Sequence, residues 1–218
     1  MSVKLPPKRA ALFDLDGTLV DTEPIHCAST NRVLEPLGAR MTYEETFQYI
    51  GWSEIPFWED LVRRFNLRVD PHELKARRSA AYIELIGSGR LEPLPGAREL
   101  LRACRAAGMP CAIASSSPRE QIAANLRASG LADFFQATIS GHDDVERGKP
   151  HPDIYLAAAA AVGVAAAEAV AFEDTVTGVR SASAAGCLVV LIPRPYTGGL
   201  EGLQPDFAVA SLADIELG

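Results

Sequence analysis

Residues 10–19 read Ala10-Ala11-Leu12-Phe13-Asp14-Leu15-Asp16-Gly17-Thr18-Leu19, a short apolar run that stops at two carboxylates set two positions apart. Such a run, closed by a glycine turn, suits a strand buried on both faces. Side chains alternate along a strand, so Asp14 and Asp16 are expected to aim the same way where it ends. Two carboxylates that close repel each other, and keeping both ionised calls for a divalent cation between them. An aspartate held in this way is one means of presenting a nucleophile to a phosphoryl group. The same pattern also suits a plain turn or a calcium-like loop, so the rest of the chain has to decide.

Working outward, apolar runs alternate with helical patterns. Strands are predicted at Ala10–Phe13, Cys111–Ala114, Ala137–Ile139, Ala169–Phe172, Leu188–Ile192 and Phe207–Ala210. Between them, Ala97, Leu100, Leu101 and Cys104 share a helix face that Gly108 closes, and Pro152 opens an alanine-rich helix. Ser117-Pro118-Arg119-Glu120 reads as a capping box, with Ser117 as the cap of a helix ended by Gly130. Strands joined by helical crossovers make a parallel sheet. Residues 21–88 break this rhythm, with helical patterns and no convincing strand. Capping signatures stand at Thr42–Glu45 and Asp70–Glu73, and Trp58, Leu61, Val62 and Phe65 make one apolar face. The expectation is an α/β protein with a discontinuous Rossmann-like core, residues 1–20 and 89–218, and an inserted α-helical domain, residues 21–88.

The chain has 218 residues, 48% hydrophobic and 22% charged, which suits a globular protein with a substantial core. A net charge of -7 argues against broad attraction to nucleic acid or anionic membrane. Cys27, Cys104, Cys111 and Cys187 form no CxxC pair, so they are expected to be free thiols in a reducing compartment rather than zinc ligands. No signal peptide or membrane span fits the N-terminal residues, and a cytoplasmic monomer is the expectation.

In open parallel sheets ligands bind outside the carboxyl ends of the strands. The polar residues that follow each apolar run are therefore the candidates. They are Asp14 and Asp16, then Ser115, Ser116 and Ser117, then Glu173 and Asp174, with Lys149 just ahead of a helix. Each has a part in phosphoryl transfer. Asp14 would attack phosphorus, and Asp16 would serve as acid to the leaving alcohol and as base to water. Asp174 and Asp14 would hold Mg²⁺. Ser115, backbone N–H groups and Lys149 would carry the phosphate charge, and Glu173 would stand behind them, orienting water or Lys149. Taken singly, three serines suit a solvated loop, Gly-Lys-Pro a surface turn, and Glu-Asp a helix N-cap. A Walker loop is excluded, because proline follows Lys149 where Ser or Thr is needed, and no Gly-x-Gly-x-x-Gly follows a strand.

Asp14-Leu-Asp16-Gly17-Thr18-Leu19, Ala114-Ser115, Gly148-Lys149-Pro150-His151-Pro152-Asp153-Ile154-Tyr155 and Phe172-Glu173-Asp174-Thr175-Val176-Thr177-Gly178 together resemble the haloacid dehalogenase superfamily. Within it they are similar to the β-phosphoglucomutase-like branch with a helical cap. The resemblance runs through essentially the whole chain. It implies a parallel sheet under a cap, with Asp14 as nucleophile and Asp16 as acid/base and main-chain Mg²⁺ ligand. Ser115, Ser116 and Lys149 then bind phosphate, and Asp174 binds Mg²⁺. An aspartate at position 16 favours phosphoester over carbon–halogen chemistry.

Where β-phosphoglucomutases grip a second phosphate with a cap Gly-x-x-Arg loop, this chain reads Gly51-Trp52-Ser53-Glu54, which puts a carboxylate in place of the guanidinium. Glu54 would repel a distal phosphate and accept from sugar hydroxyls, while Arg78 keeps some anion affinity. Hydrolysis of a sugar monophosphate is therefore expected. A phosphoglucomutase-type isomerase, a phosphoglycolate or nucleotide-derived phosphatase, and a catalytically idle binding module are the alternatives. His26 is either a substrate contact near the hinge or a hydrogen-bonded helix residue. Trp52 either stacks on a sugar or packs, and Arg119 either touches substrate or is a solvated first-turn residue.

Overall fold

The computed structural model describes residues 2–200 and 202–218. The chain divides into two compact units, Met1–Asp21 with Leu91–Gly218, and Thr22–Arg90. The first unit carries strands β1 (Val3–Lys4), β2 (Ala10–Phe13), β3 (Cys111–Ser115), β4 (Ala137–Ser140), β5 (Ala169–Glu173), β6 (Leu188–Leu191), β7 (Phe207–Ala208) and β8 (Ile215–Glu216). The second holds helices α1 (Glu23–Leu34), α2 (Tyr43–Thr46), α3 (Glu54–Arg64) and α4 (Pro71–Gly87). Helices α5 (Ala97–Ala106), α6 (Arg119–Ser129), α7 (Asp153–Ala161) and α8 (Val176–Ala185) belong to the first unit.

Six of the strands form one parallel sheet in the order β4-β3-β2-β5-β6-β7, as the alternation of apolar runs and helices requires. The Val3–Lys4 and Ile215–Glu216 pairing has no signal in the sequence, being too short for periodicity to show. Strands β2, β3 and β5 are buried at every residue. Alternate side chains explain this. Ala10, Leu12, Ala112, Ala114, Ala169, Ala171, Val189 and Leu191 pack with Ile154, Tyr155 and Ala158 of α7 and Val179 and Ala182 of α8. The small strand residues let those helices approach closely. On β2 and β5, Phe13 stacks on Phe172 with ring centroids 4.7 Å apart, a contact worth about 0.5–1.5 kcal/mol beyond its buried area. After β2 the chain builds outward through β3 and β4, then returns to place β5 on the other side of β2. Such a reversal opens a crevice at the carboxyl ends of β2 and β5.

In the helical unit, Val33, Leu34, Met41, Tyr49, Trp58, Leu61 and Leu74 form the core, with Val62 and Phe65 against it. The Asn31 side chain bonds both main-chain groups of Met41, at 2.8 and 2.9 Å. The Thr42–Glu45 capping box forms, and Asp70 caps α4 through the His72 N–H. One expected cap does not form. Helix α6 starts after Pro118 with no side-chain cap, and the Ser117 hydroxyl points elsewhere. The Asp143 carboxylate takes the Arg119 N–H instead, at 2.7 Å. Cys104, Cys111 and Cys187 are buried free thiols and Cys27 is partly buried. Among the described residues no helix is long and apolar enough to cross a membrane.

Candidate active site

The site grows from the last rungs of the sheet. The Asp14 N–H bonds the Phe172 carbonyl at 3.0 Å, which sets the residue following β2 beside the end of β5. Gly17, at φ +83°, turns the chain immediately afterwards, a conformation glycine adopts without steric cost. A Cβ on Gly17 would overlap the Asp174 carboxylate and the Tyr196 hydroxyl, so glycine is needed for space as well as for the turn. Lys149 arrives on the connection between β4 and α7. That connection is tied by the Arg147–Asp153 pair at 2.8 and 3.0 Å and by the Ser181 hydroxyl donating to the His151 carbonyl at 2.6 Å.

There the charges meet. Lys149 Nζ donates to Asp14 Oδ1 at 2.6 Å and to Glu173 Oε1 at 2.5 Å, and its side chain is only 5% exposed. Glu173 is fully buried. Its Oε1 also accepts from the Tyr155 hydroxyl at 2.6 Å, and Oε2 accepts from Thr175 Oγ1 at 3.2 Å. Asp174 accepts from Thr18 at 3.3 Å and from the Tyr196 hydroxyl at 3.0 Å. Asp14, Glu173 and Asp174 each bring a carboxylate oxygen to within 4.8 Å of the others.

Three buried carboxylates beside one ammonium leave negative charge uncompensated. Asp14 is raised to about 8, chiefly by burial, with Lys149 opposing the rise and the Glu173 and Asp16 carboxylates adding to it. Burial, then Asp14 and Glu173, raise Asp174 well above the ordinary carboxylate range. Burial alone would lower Lys149, but the Asp14 and Glu173 carboxylates outweigh it and hold the ammonium above its usual pKa. An oxygen-only, electron-rich donor set of this kind fits a hard divalent cation. All three carboxylates also accept hydrogen bonds within the cluster, and Asp14, Glu173 and Asp174 together offer the oxygens that could hold it.

Asp16 lies outside that trio. Ser115 and Ser117 hydroxyls donate to its Oδ2 at 3.1 and 2.8 Å, and the Asn125 amide donates to Oδ1 at 3.1 Å. Its two-residue offset from Asp14 therefore does not bring its carboxylate into the group formed by Asp14, Glu173 and Asp174. Ser115 also accepts the Ser117 N–H at 3.1 Å, and Ser116 is exposed. The Arg119 guanidinium pairs with the Asp144 carboxylate.

A family model for haloacid dehalogenase-like hydrolases matches residues 8–186. The chain belongs to that family. A "putative beta-phosphoglucomutase" from Thermotoga maritima superposes with a TM-score of 0.78 at 27% identity, covering 94% of this chain and 95% of that one, which supports the β-phosphoglucomutase-like branch. CbbY of Rhodobacter capsulatus is 33% identical over 218 residues, covering 94% of both chains. A phosphorylated carbohydrates phosphatase of Thermotoga maritima is 33% identical over 81% of each. Among solved structures, a CbbY variant from Rhodobacter sphaeroides in complex with xylulose-(1,5)bisphosphate superposes with a TM-score of 0.83 at 26% identity, covering 96% of this chain and 97% of that one.

The helical insertion of this hydrolase carries its own charged cluster. Arg78 pairs with Glu54 at 2.7 Å, and Lys75 lies 3.4 Å from the second Glu54 oxygen. Arg78 also donates to His26 Nδ1 at 2.7 Å, which leaves the imidazole proton on Nε2, and the ring stacks on Tyr82 at 4.7 Å. Burial, then the Arg78 charge, holds His26 well below its ordinary pKa. Trp52 is half exposed and meets Tyr49 edge-on.

Sequence reading missed Tyr196 and Asn125 and assigned Tyr155 no role. Tyr196 was findable only by searching the loop beyond the carboxyl end of β6, where it stands five residues past Leu191. Asn125 sits on the buried face of α6 with Gln121 and Ser129 one turn to either side, and polar residues recurring on a buried helix face are a signal.

Proposed function

We propose that this hydrolase is a Mg²⁺-dependent phosphatase acting on a small organic monophosphate whose alcohol is a sugar or polyol. The observation that carries the reading is the buried Asp14–Lys149–Glu173 junction beside Asp174. Asp14 attacks phosphorus to form an acyl phosphate, and the expelled alkoxide takes a proton from Asp16. Water then opens the acyl phosphate, Asp16 accepts its proton, and inorganic phosphate leaves. Lys149 and the Ser115 loop bear the phosphoryl oxygens' charge. Bound Mg²⁺ supplies the positive charge that keeps Asp14 and Asp174 ionised and offsets the phosphoryl group.

The helical unit supports a monophosphate with a hydroxyl-rich alcohol. The single Glu54 carboxylate pairs with both Arg78 and Lys75, so the Arg78 guanidinium is already engaged rather than open to a second phosphate. Arg78 Nε is buried without a hydrogen-bond partner among the described residues, and Glu54 Oε2 has no hydrogen bond there beyond the Lys75 ammonium 3.4 Å away. A donor and an acceptor of this kind suit the hydroxyls of a polyol. The similarity to a phosphorylated carbohydrates phosphatase points the same way.

The test is phosphate release from a panel of sugar and polyol phosphates, with and without EDTA. Release that depends on Mg²⁺ and disappears in Asp14→Asn supports the reading. Activity that ignores EDTA, or glucose 6-phosphate accumulating from β-glucose 1-phosphate without free phosphate, overturns it.

A further inference from the structure

We infer that Asn125 is a positioning residue for the proton-transferring carboxyl of Asp16, an inference that rests on the phosphatase reading above. Asn125 is fully buried on α6, where an amide is kept only if its hydrogen bonds are made. Its buried neighbours on the helix are Ile122, Ala124 and Leu126, with Gln121 and Ser129 one turn to either side on the same face. From that stripe the Nδ2 group reaches Asp16 Oδ1 at 3.1 Å, across a sequence separation of 109 residues.

The carboxyl is thereby gripped at both ends by unlike groups. At Oδ2 the partners are the Ser115 and Ser117 hydroxyls, at 3.1 and 2.8 Å. A hydroxyl can donate to a carboxylate and accept from a carboxylic acid, so it suits either protonation state. An amide N–H only donates. Oδ1 is therefore held as a permanent acceptor, and the proton that passes to the leaving alkoxide is carried on Oδ2. Asn125 also fixes the plane of the carboxyl group, whose terminal torsion is otherwise broad. Acid catalysis depends on that orientation, because the proton has to lie on the line to the leaving oxygen.

Two substrates separate this role from a structural one. Glycerol phosphate expels an alkoxide that needs a proton, whereas 4-nitrophenyl phosphate expels a stable phenolate that does not. The value of kcat/KM reports the steps up to that expulsion. For Asn125→Leu, similar in size but without a donor, kcat/KM on glycerol phosphate is expected to fall about tenfold, a fraction of the full 10²–10⁴ of acid catalysis. On 4-nitrophenyl phosphate it is expected to change less than about twofold. Where Asn125→Leu folds poorly by thermal melting, Asn125→Ser, whose hydroxyl is too short to reach, carries the same comparison. An equal loss on both substrates, or no loss on either, overturns the inference. Failure of the phosphatase reading looks different, since the wild-type enzyme would then release phosphate from neither.

Discussion

Lys149 Nζ sits 2.6 Å from Asp14 Oδ1 and reaches Glu173 with the same ammonium, so one cation holds the proposed nucleophile against a fully buried carboxylate. Lys149→Met removes that cation while keeping most of the side chain's bulk. Phosphate release is expected to fall by about 10²–10³-fold, the scale of losing one preorganised charge at a developing oxyanion. Steady-state kinetics on the best substrate of the panel measures this, and a loss under tenfold would argue that Lys149 is only an ion-pair partner.

Metal-free protein should show the strain of crowded carboxylates in its pH dependence. Asp14 is raised from 3.8 to about 8, so between those values the folded state keeps a proton that the unfolded chain has lost. Stability of the metal-free protein then falls as pH rises through that window and levels off above it. Thermal melts in EDTA at several pH values are expected to show this fall, with Asp14→Asn flattening it. The upward Tm shift on adding Mg²⁺ is expected to grow over the same range, and Asp174→Asn is expected to abolish it.

Two glycines are expected to be intolerant of alanine for reasons of space. A Cβ on Gly178, in the first turn of α8, would fall within the Glu173 carboxylate, and one on Gly17 would overlap Asp174. Gly178→Ala should destabilise by about 1–3 kcal/mol and displace Glu173 from Lys149, lowering activity as well. Denaturant titration and kinetics check both effects.

The Glu54–Arg78 pair makes substrate charge testable. Glu54→Arg replaces a carboxylate with a guanidinium beside Arg78 and Lys75, and leaves that cluster strongly positive. The ratio of kcat/KM for a sugar bisphosphate to that for its monophosphate is expected to rise by about tenfold, or ~1.4 kcal/mol. An unchanged ratio would place substrate selection elsewhere.

His26 predicts an acid limit to the stability of the helical unit. Its folded-state pKa lies well below 6.5, so below that value the unfolded chain binds a proton that the folded one refuses. Stability is therefore lost as pH falls below about 6.5. His26→Gln, which cannot take up that proton, is expected to reduce the loss in melts followed from pH 7.5 to pH 5.

Periodicity and punctuation are local properties, and they made the sheet legible. Four buried residues directly ahead of Asp14, the Gly17 turn, and the polar residue closing each of the β3 and β5 runs are each signals confined to a few consecutive positions. The carboxyl-end rule then gathered Asp14, Ser115, Lys149, Glu173 and Asp174 as candidates without coordinates, because parallel strands bring their ends to one edge. The same locality misread Ser117. Its Pro118-Arg119-Glu120 context fits a capping box, but its hydroxyl bonds Asp16, a hundred residues away in sequence.

From residues alone, then, came the α/β class, the strand ends and the acidic character of the crevice, because each rests on neighbours along the chain. The three-dimensional packing decided the partners. It set Asn125 and Ser117 on Asp16, Tyr196 on Asp174, and Arg78 on Glu54. A buried charge is governed by whichever distant donor or counter-charge the fold delivers to it, and that depends on contacts no short window of sequence contains.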